Sequence, residues 1–349
     1  MIERCLEDLE RRLDPQVEEA LLADWQTFCD GRFTGGIFSP RRARAMPPAF
    51  KWPEITVNEA LEDPDAMALQ QLGACSEALA QGSGSVLNVR ANYGTGILPS
   101  VFGAPIALMD AAMQTLPTAL PIEGGGLAAA RGLLRRGAPD LESGYGARVF
   151  AATRHMQRAM QPYPLVSQYV LQYHPDLQGP MNVCELLWGS ALFLDILDEP
   201  ALVHEVLALI TDTYTRFLRR WLELVPWRGP CSSHWGLRMR GLLMLRDDSA
   251  MNFSPEIYGE FIQPCNQRLL REFGGGCMHF CGRGSHYIDR LAECEGLTGV
   301  QLSQPSYNDM ETVYRHTLDR GLLLLGLARE TAEAALRTGR PLHSRVHCA

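Results

Sequence analysis

Residues 241–282 read GLLMLRDDSAMNFSPEIYGEFIQPCNQRLLREFGGGCMHFCG, and this stretch decides the fold. GLLMLRDD (241–248) is a short apolar run closed by two acids. SPEIYGEFIQPCNQRLLREF (254–273) has a helix start in Ser254-Pro255-Glu256: a capping serine, proline at the first helical position and an acid in the first turn. GCMHFCG (276–282) is a second short apolar run. An apolar run, a helix and another apolar run make a βαβ unit, and repeated βαβ units build a parallel sheet.

The same beat extends outward. LTGVQLSQ (297–304) follows SHYIDRLAECE, LLLLGLA (322–328) follows NDMETVYRHTLDR, and RPLHSRVHC (340–348) follows ETAEAALRTG. Upstream, the long helical segment 199–225 is preceded by strand candidates SVLNVRANYG (85–94), TALPIE (118–123) and YPLVSQYVLQ (163–172). Seven or eight strands, most followed by a helix, predict an α/β protein: a single (β/α)8 TIM barrel over residues 81–349. Residues 1–80 read as a helical and irregular extension, with helices over 1–28 broken near Pro15, a Gly- and Pro-rich arm over 31–55, and a helix over 57–81. An open doubly wound sheet is the alternative. No G-x-G-x-x-G or P-loop follows a strand, which argues against a dinucleotide or nucleotide enzyme.

Composition narrows the function classes. The 349 residues are 46% hydrophobic and 21% charged, enough for a large core. A formal net charge of −8 disfavours a nucleic-acid partner. No apolar run has the length of a membrane span. The charged start MIERCLEDLERRLD lacks the apolar centre of a signal peptide, so a cytoplasmic protein is expected. The ten cysteines contain no C-x-x-C pair and are expected as thiols rather than disulfides.

In a barrel the chemistry gathers at the C-terminal ends of the strands. Those ends are polar here: Asn92-Tyr93, Gln172-Tyr173-His174, Asp247-Asp248, His279-Phe280-Cys281, Gln301 to Gln304, and His347-Cys348. On a strand, residues i and i+2 share a face, so His279 and Cys281 point together. Zinc binds imidazole nitrogen at about 2.0–2.1 Å and thiolate at about 2.3 Å, and a catalytic site takes three protein ligands. Cys348, ending the last strand, is the expected third ligand; Cys277 is in phase but deeper, and His347 faces away from Cys348. Buried core residues of the same types would read identically in that short stretch.

Asp247 and Asp248 are candidate catalytic groups, as a general base or as an orienting partner for His279; capping the next segment is the plainer reading. Asn92, Tyr93, Gln301 and Ser303, with Gln304, are candidate substrate contacts, against a simple turn for the first two. Glu185 is a pocket acid or a helix-cap charge. Trp188, Trp227 and Trp235 read as packing residues and His286 as solvent-facing. Gly282 and Gly284 suit either an anion cradle or a tight turn.

DDSAMNFSPEIYGEFIQPCNQRLL, HFCGRG, GLTGVQLSQ and GLLLLGL, together with VFGAPI (101–106) and LDEPALVHEVL (197–207), resemble the uroporphyrinogen decarboxylase superfamily, which includes the methylcobamide:coenzyme M methyltransferases. The resemblance spans roughly residues 80–349 and implies a (β/α)8 barrel. The decarboxylase branch carries an N-terminal arginine motif that GRFTGGIFSPRRARAMPPAF does not match, although Arg41, Arg42 and Arg44 are basic. The methyltransferase branch has a His-x-Cys…Cys zinc motif that His279, Cys281 and Cys348 match in order. The resemblance implies a zinc-dependent methyltransferase acting between a methylcobamide, carried by a separate corrinoid protein, and a small thiol or methylated substrate. Three functions follow as expectations: this methyltransferase, a metal-free decarboxylase-like lyase using Asp247 or Asp248 with the Arg41–Arg44 cluster, and a non-catalytic ligand-binding member. A homodimer is compatible with the long apolar helix.

Overall fold

A computed structural model describes all residues, 1–349. The 241–282 unit folds as a strand, a helix and a parallel strand. The helix starts on Ser254, whose hydroxyl accepts from Ile257 N at 3.3 Å. It carries a π-turn at Tyr258–Ile262 just before Pro264. Proline has no N–H and its ring crowds the carbonyl four residues back, and a π-turn relieves that conflict without ending the helix.

The strands, in chain order, are β1 (Ile37–Phe38), β2 (Asn88–Val89), β3 (Ile106–Ala107), β4 (Thr118–Ala119), β5 (Leu171–Gln172), β6 (Cys231–His234), β7 (Leu237–Arg240), β8 (Leu243–Arg246), β9 (Gly276–Phe280), β10 (Leu297–Leu302), β11 (Leu323–Leu324) and β12 (Val346–His347). One six-stranded sheet runs β1-β12-β11-β10-β9-β8, and every pairing in it is parallel. The strands approach closely where β8 and β9 begin: a Cβ on Gly276 would stand 2.0 Å from Leu243 O. A second parallel pair joins β2 to β5, and two antiparallel pairs join β3 to β4 and β6 to β7. The fold is thus α/β with parallel sheets, as expected.

The backbone ladder does not close into a ring of eight. Between β5 and β8 the link is made by His174, whose Nε2 accepts from Met244 N at 3.2 Å, and by Gly179 N donating to Arg246 O at 2.8 Å. The intervening YHPDLQGP has two prolines, which lack the donors a ladder needs. Between β1 and β2 stand an isolated Arg41–Ser83 bridge, the bond from Arg42 Nη1 to Ser83 O and the bond from Trp25 Nε1 to Gly84 O, 2.8 Å, with no strand ladder.

Several local expectations are corrected. Most of 163–172 is the helix Pro164–Tyr169, started by its proline, and only Leu171–Gln172 is strand. The 118–123 run contributes two residues to the antiparallel β3–β4 pair. The 57–81 helix breaks at Asp63, which caps Pro64–Gln81 through Asp65 N. The Gly- and Pro-rich arm supplies β1 to the main sheet. Residues 231–240 form a hairpin whose two-residue turn, Trp235 (φ +49°) and Gly236 (φ +76°), has the left-handed pair that matches strand twist.

Strand alternation sorts the core into two layers. On the outer face, Leu243, Leu245, Met278, Phe280, Val300, Leu324 and Val346 join the main hydrophobic cluster under the helices. On the inner face, Met244, Cys277 and Leu323 meet Leu21, Trp25 and Phe28 of the helix Pro15–Cys29. Trp25 is fully buried there, its ring 5.1 Å from Phe38 and 4.6 Å from His347. No single helix is long and apolar enough to cross a membrane.

Candidate metal centre

The inner face changes character toward the C-terminal ends of the strands. Arg246, His279 and Gln301 are register partners on β8, β9 and β10, in phase with the apolar Met244 and Cys277 beneath them. Cys281 continues that phase beyond β9. Asp248 follows β8 at the start of a short 3-10 turn, Asp248–Asn252.

Asp248, His279 and Cys281 bring one donor atom each to within 4.8 Å of one another. His279 Nε2 lies 3.5 Å from Cys281 Sγ and 3.5 Å from Asp248 Oδ1. Tetrahedral ligands bonded at zinc distances are themselves separated by roughly 3.3–3.7 Å, so both distances from His279 fit. The groups are also oriented. His279 Nδ1 donates to Gln301 Oε1, which leaves the Nε2 lone pair facing the other two donors, as metal-binding histidines require. Cys281 N donates to Asp248 Oδ1 at 2.7 Å and holds that carboxylate in place. Ser303 Oγ stands 3.5 Å from Cys281 Sγ. Burial pulls the His279 imidazole below its ordinary pKa, opposed by Asp248 and Gln301. Burial pushes the Cys281 thiol up, opposed by the Ser303 hydroxyl. A divalent cation would reverse the thiol's preference outright.

Cys348 lies elsewhere, correcting its expected place as third ligand. Val346 and Cys348 both belong to the outer cluster, so the in-between His347 faces inward. His347 Nδ1 accepts from Gly326 N at 3.1 Å. The Cys348 thiol is buried, and its pKa is pushed up to about 11 by that burial, with Arg329 opposing. The third donor in the cluster is Asp248, so the set is nitrogen, sulfur and oxygen instead of nitrogen and two sulfurs.

Asp247 also faces outward. It is 1% exposed, with Asn266 Nδ2 donating to Oδ2, and burial raises its pKa to about 7. A Cβ on Gly179 would meet its Oδ1 at 2.3 Å, so no substrate reaches it from that side. Tyr93 is likewise on the outer face, 5.0 Å from the Tyr145 ring. Asn92 lines a cavity of about 460 Å³ with Arg90, Tyr173 and Trp235, and its Oδ1 has no partner. Tyr173 also lines a neighbouring cavity of about 480 Å³ beside Trp221 and His234; neither cavity is lined by the three donors.

Other candidates are already engaged. Gly282 N and Gly284 N donate to Gln304 and Asn308 at 2.6 and 2.7 Å, which fills the supposed anion cradle. Glu185 accepts from Ser249 Oγ. His286, half-buried rather than solvent-facing, pairs with Phe253 O at 3.0 Å. Trp188 and Trp227 are packing residues with their N–H groups bonded to Asp195 and Cys231 O. Arg42 is sealed against Glu18, so it is not free for a substrate, while the exposed Arg44 pairs with Asp14 at the surface.

Sequence reading overlooked a buried group beside the donors. The hairpin turn delivers Trp235 onto the inner face, its ring 5.1 Å from His279 and 4.5 Å from the Arg246 guanidinium. Arg246 Nε pairs with Asp176 Oδ1 at 2.8 Å, and Arg90 Nη1 stands 3.5 Å from Asp176 Oδ2. Burial opposes ionisation of Asp176, but Arg246 and Arg90 together hold its carboxyl below the ordinary range. The signals existed: an arginine in phase with Met244 inside LLMLRDD, and a Trp-Gly pair between alternating runs.

No family model matches this sequence. No curated protein matches it either. Among solved structures, the fold is similar to that of a methyltransferase from Methanosarcina mazei, at a TM-score of 0.56 and 15% identity, over 84% of this chain and 82% of that one. At that identity the likeness establishes the shared fold.

Proposed function

We propose that this protein is a zinc-dependent methyltransferase of a corrinoid system, moving a methyl group between a methylcobamide on a partner corrinoid protein and a small thiol or methylated substrate. The observation that carries this is the triad of Asp248, His279 and Cys281, oriented by Gln301 and by the Cys281 amide at strand ends. The resemblance of HFCGRG and its flanks to the methyltransferase branch, and the likeness to a methyltransferase fold, support the same reading.

The six strands of the main sheet and the β2–β5 pair are read as staves of one (β/α)8 barrel whose hydrogen bonding lapses at two joints. Their C-terminal ends then share one mouth, where the donors stand. Bound zinc would supply Lewis acidity, favouring thiolate over thiol or polarising an ether oxygen. His279, Cys281 and Asp248 would hold it, with the fourth position left to the substrate heteroatom. Gln301 fixes the imidazole tautomer. Trp235 packs edge-on against the His279 ring at 5.1 Å and supports its orientation. Met251 and Tyr307, 40% and 63% exposed, follow β8 and β10 and give the rim an apolar surface suited to a protein partner.

A metal-free lyase built on Asp247 or Asp248 with the Arg41–Arg44 cluster has less support, because Asp247 is sealed on the outer face, Asp248 stands with His279 and Cys281, and Arg42 is buried against Glu18. Metal analysis separates the readings. We expect about one zinc per chain in purified protein, lost in His279→Ala, and methyl transfer from a methylated corrinoid protein to a thiol. Protein that neither carries nor takes up zinc would overturn the proposal.

A further inference from the structure

We propose that Arg246 and Arg90 form a carboxylate-binding subsite beside the metal centre, so that the small substrate is a carboxylic acid. This rests on the metal-site reading only in placing the reacting heteroatom at the three donors.

Charge and satisfaction carry it. Arg246 is 2% exposed and Arg90 8%. Guanidinium groups stay protonated in proteins. Asp176 is the one carboxylate paired with either, so two positive charges face one negative charge in a buried place. Arg246 Nη2 is buried without any hydrogen-bond partner, and Arg90 Nη1 has only the long 3.5 Å approach to Asp176. An unbalanced buried charge with unmet donors is expensive and calls for an anion. The histidines nearby do not supply one: burial keeps His174 and His234 neutral. Nor does the metal centre, where Asp248 and a Cys281 thiolate would balance a divalent cation between themselves.

The site is built, and one of its two arginines lines a cavity. Trp235 lies under both guanidiniums, 4.5 Å from Arg246 and 6.0 Å from Arg90, and fixes their planes. Arg90 and Trp235 line the 460 Å³ cavity, which brings a small molecule to Arg90, with Arg246 behind the Trp235 ring. A carboxylate matches a guanidinium through two parallel N–H···O bonds. Arg246 is the register partner of His279, one strand spacing of about 4.8 Å away. A carboxylate held by the arginine pair is therefore within the reach of a short acid from His279, across the Trp235 ring that touches both.

Calorimetry with propionate and propan-1-ol on chelator-treated protein, then with 3-mercaptopropionate and 3-mercaptopropan-1-ol on zinc-loaded protein, tests it. We expect the acid to bind at least about tenfold more tightly than the alcohol in both pairs, the strength of charge-assisted hydrogen bonds. Arg90→Gln and Arg246→Gln, checked for folding by circular dichroism, should erase the preference. Equal affinities of acid and alcohol in the wild-type protein overturn the subsite, even if zinc binds. Propionate selectivity in a protein that never takes up zinc upholds the subsite and overturns the metal reading alone.

Discussion

On the outer face of the sheet, Asp247 and Cys348 are sealed among helices, one raised to a pKa of about 7 and the other to about 11 by burial. On the inner face, Asp248 and Cys281 are partly open and stand around one imidazole nitrogen. The residue types are the same and Asp247 and Asp248 share a peptide bond, so type and proximity in sequence do not decide the chemistry. The face does. A buried carboxyl or thiol with no cation nearby is driven to its neutral form, whereas a cation taken up by the inner-face donors would hold its ligands in the charged one.

The sharpest way to break this contrast is to remove one thiol from each face. Cys281→Ala should lower methyl transfer by about 10³-fold or more, the scale of several kcal/mol of transition-state stabilisation. Cys348→Ala should leave the rate within about threefold and act only on stability, read by thermal unfolding. Truncating the inner floor has a structural effect of different kind: Trp25→Ala should destabilise the fold by about 3–5 kcal/mol in denaturant unfolding, because the ring is fully buried, while the folded fraction keeps its metal. Gln301→Leu should weaken zinc binding about 10–100-fold in competition with a chelator dye, since it removes the acceptor that fixes the His279 tautomer.

A smaller effect concerns pH. Burial lowers the pKa of His174 to about 3 and of His347 to about 4, from an unfolded value near 6.5. Below 6.5 the unfolded chain binds protons that the folded one refuses, so stability is complete above that pH and falls as pH falls toward the folded values. At pH 5.5 the loss is about 1.4 kcal/mol for each histidine, one pH unit of linkage. His347→Phe should flatten the profile by about that amount, as followed by urea unfolding between pH 7 and 5.5.

Much of this was legible from residue order, and the failures have physical causes. The 241–282 unit and the later strands showed themselves because each apolar run has helix signals on both sides. His279 and Cys281 were legible as a pair because i and i+2 must share a face. Cys348 was misplaced because β12 is two residues long, and a slip of one residue reverses every side chain; the apolar Val346 in phase with it was the available clue. β1 was hidden in a Gly- and Pro-rich arm because it is short and pairs with residues some 310 positions away. The Arg246–Asp176–Arg90 group was invisible as a cluster because its members come from three distant segments that meet only in the folded chain.

X-ray absorption at the zinc edge of the loaded wild-type protein tests the inner-face centre most directly. One sulfur is expected at about 2.3 Å, with the remaining neighbours nitrogen and oxygen at about 2.0–2.2 Å. Two sulfurs in the shell, with one lost in Cys348→Ala, would contradict it.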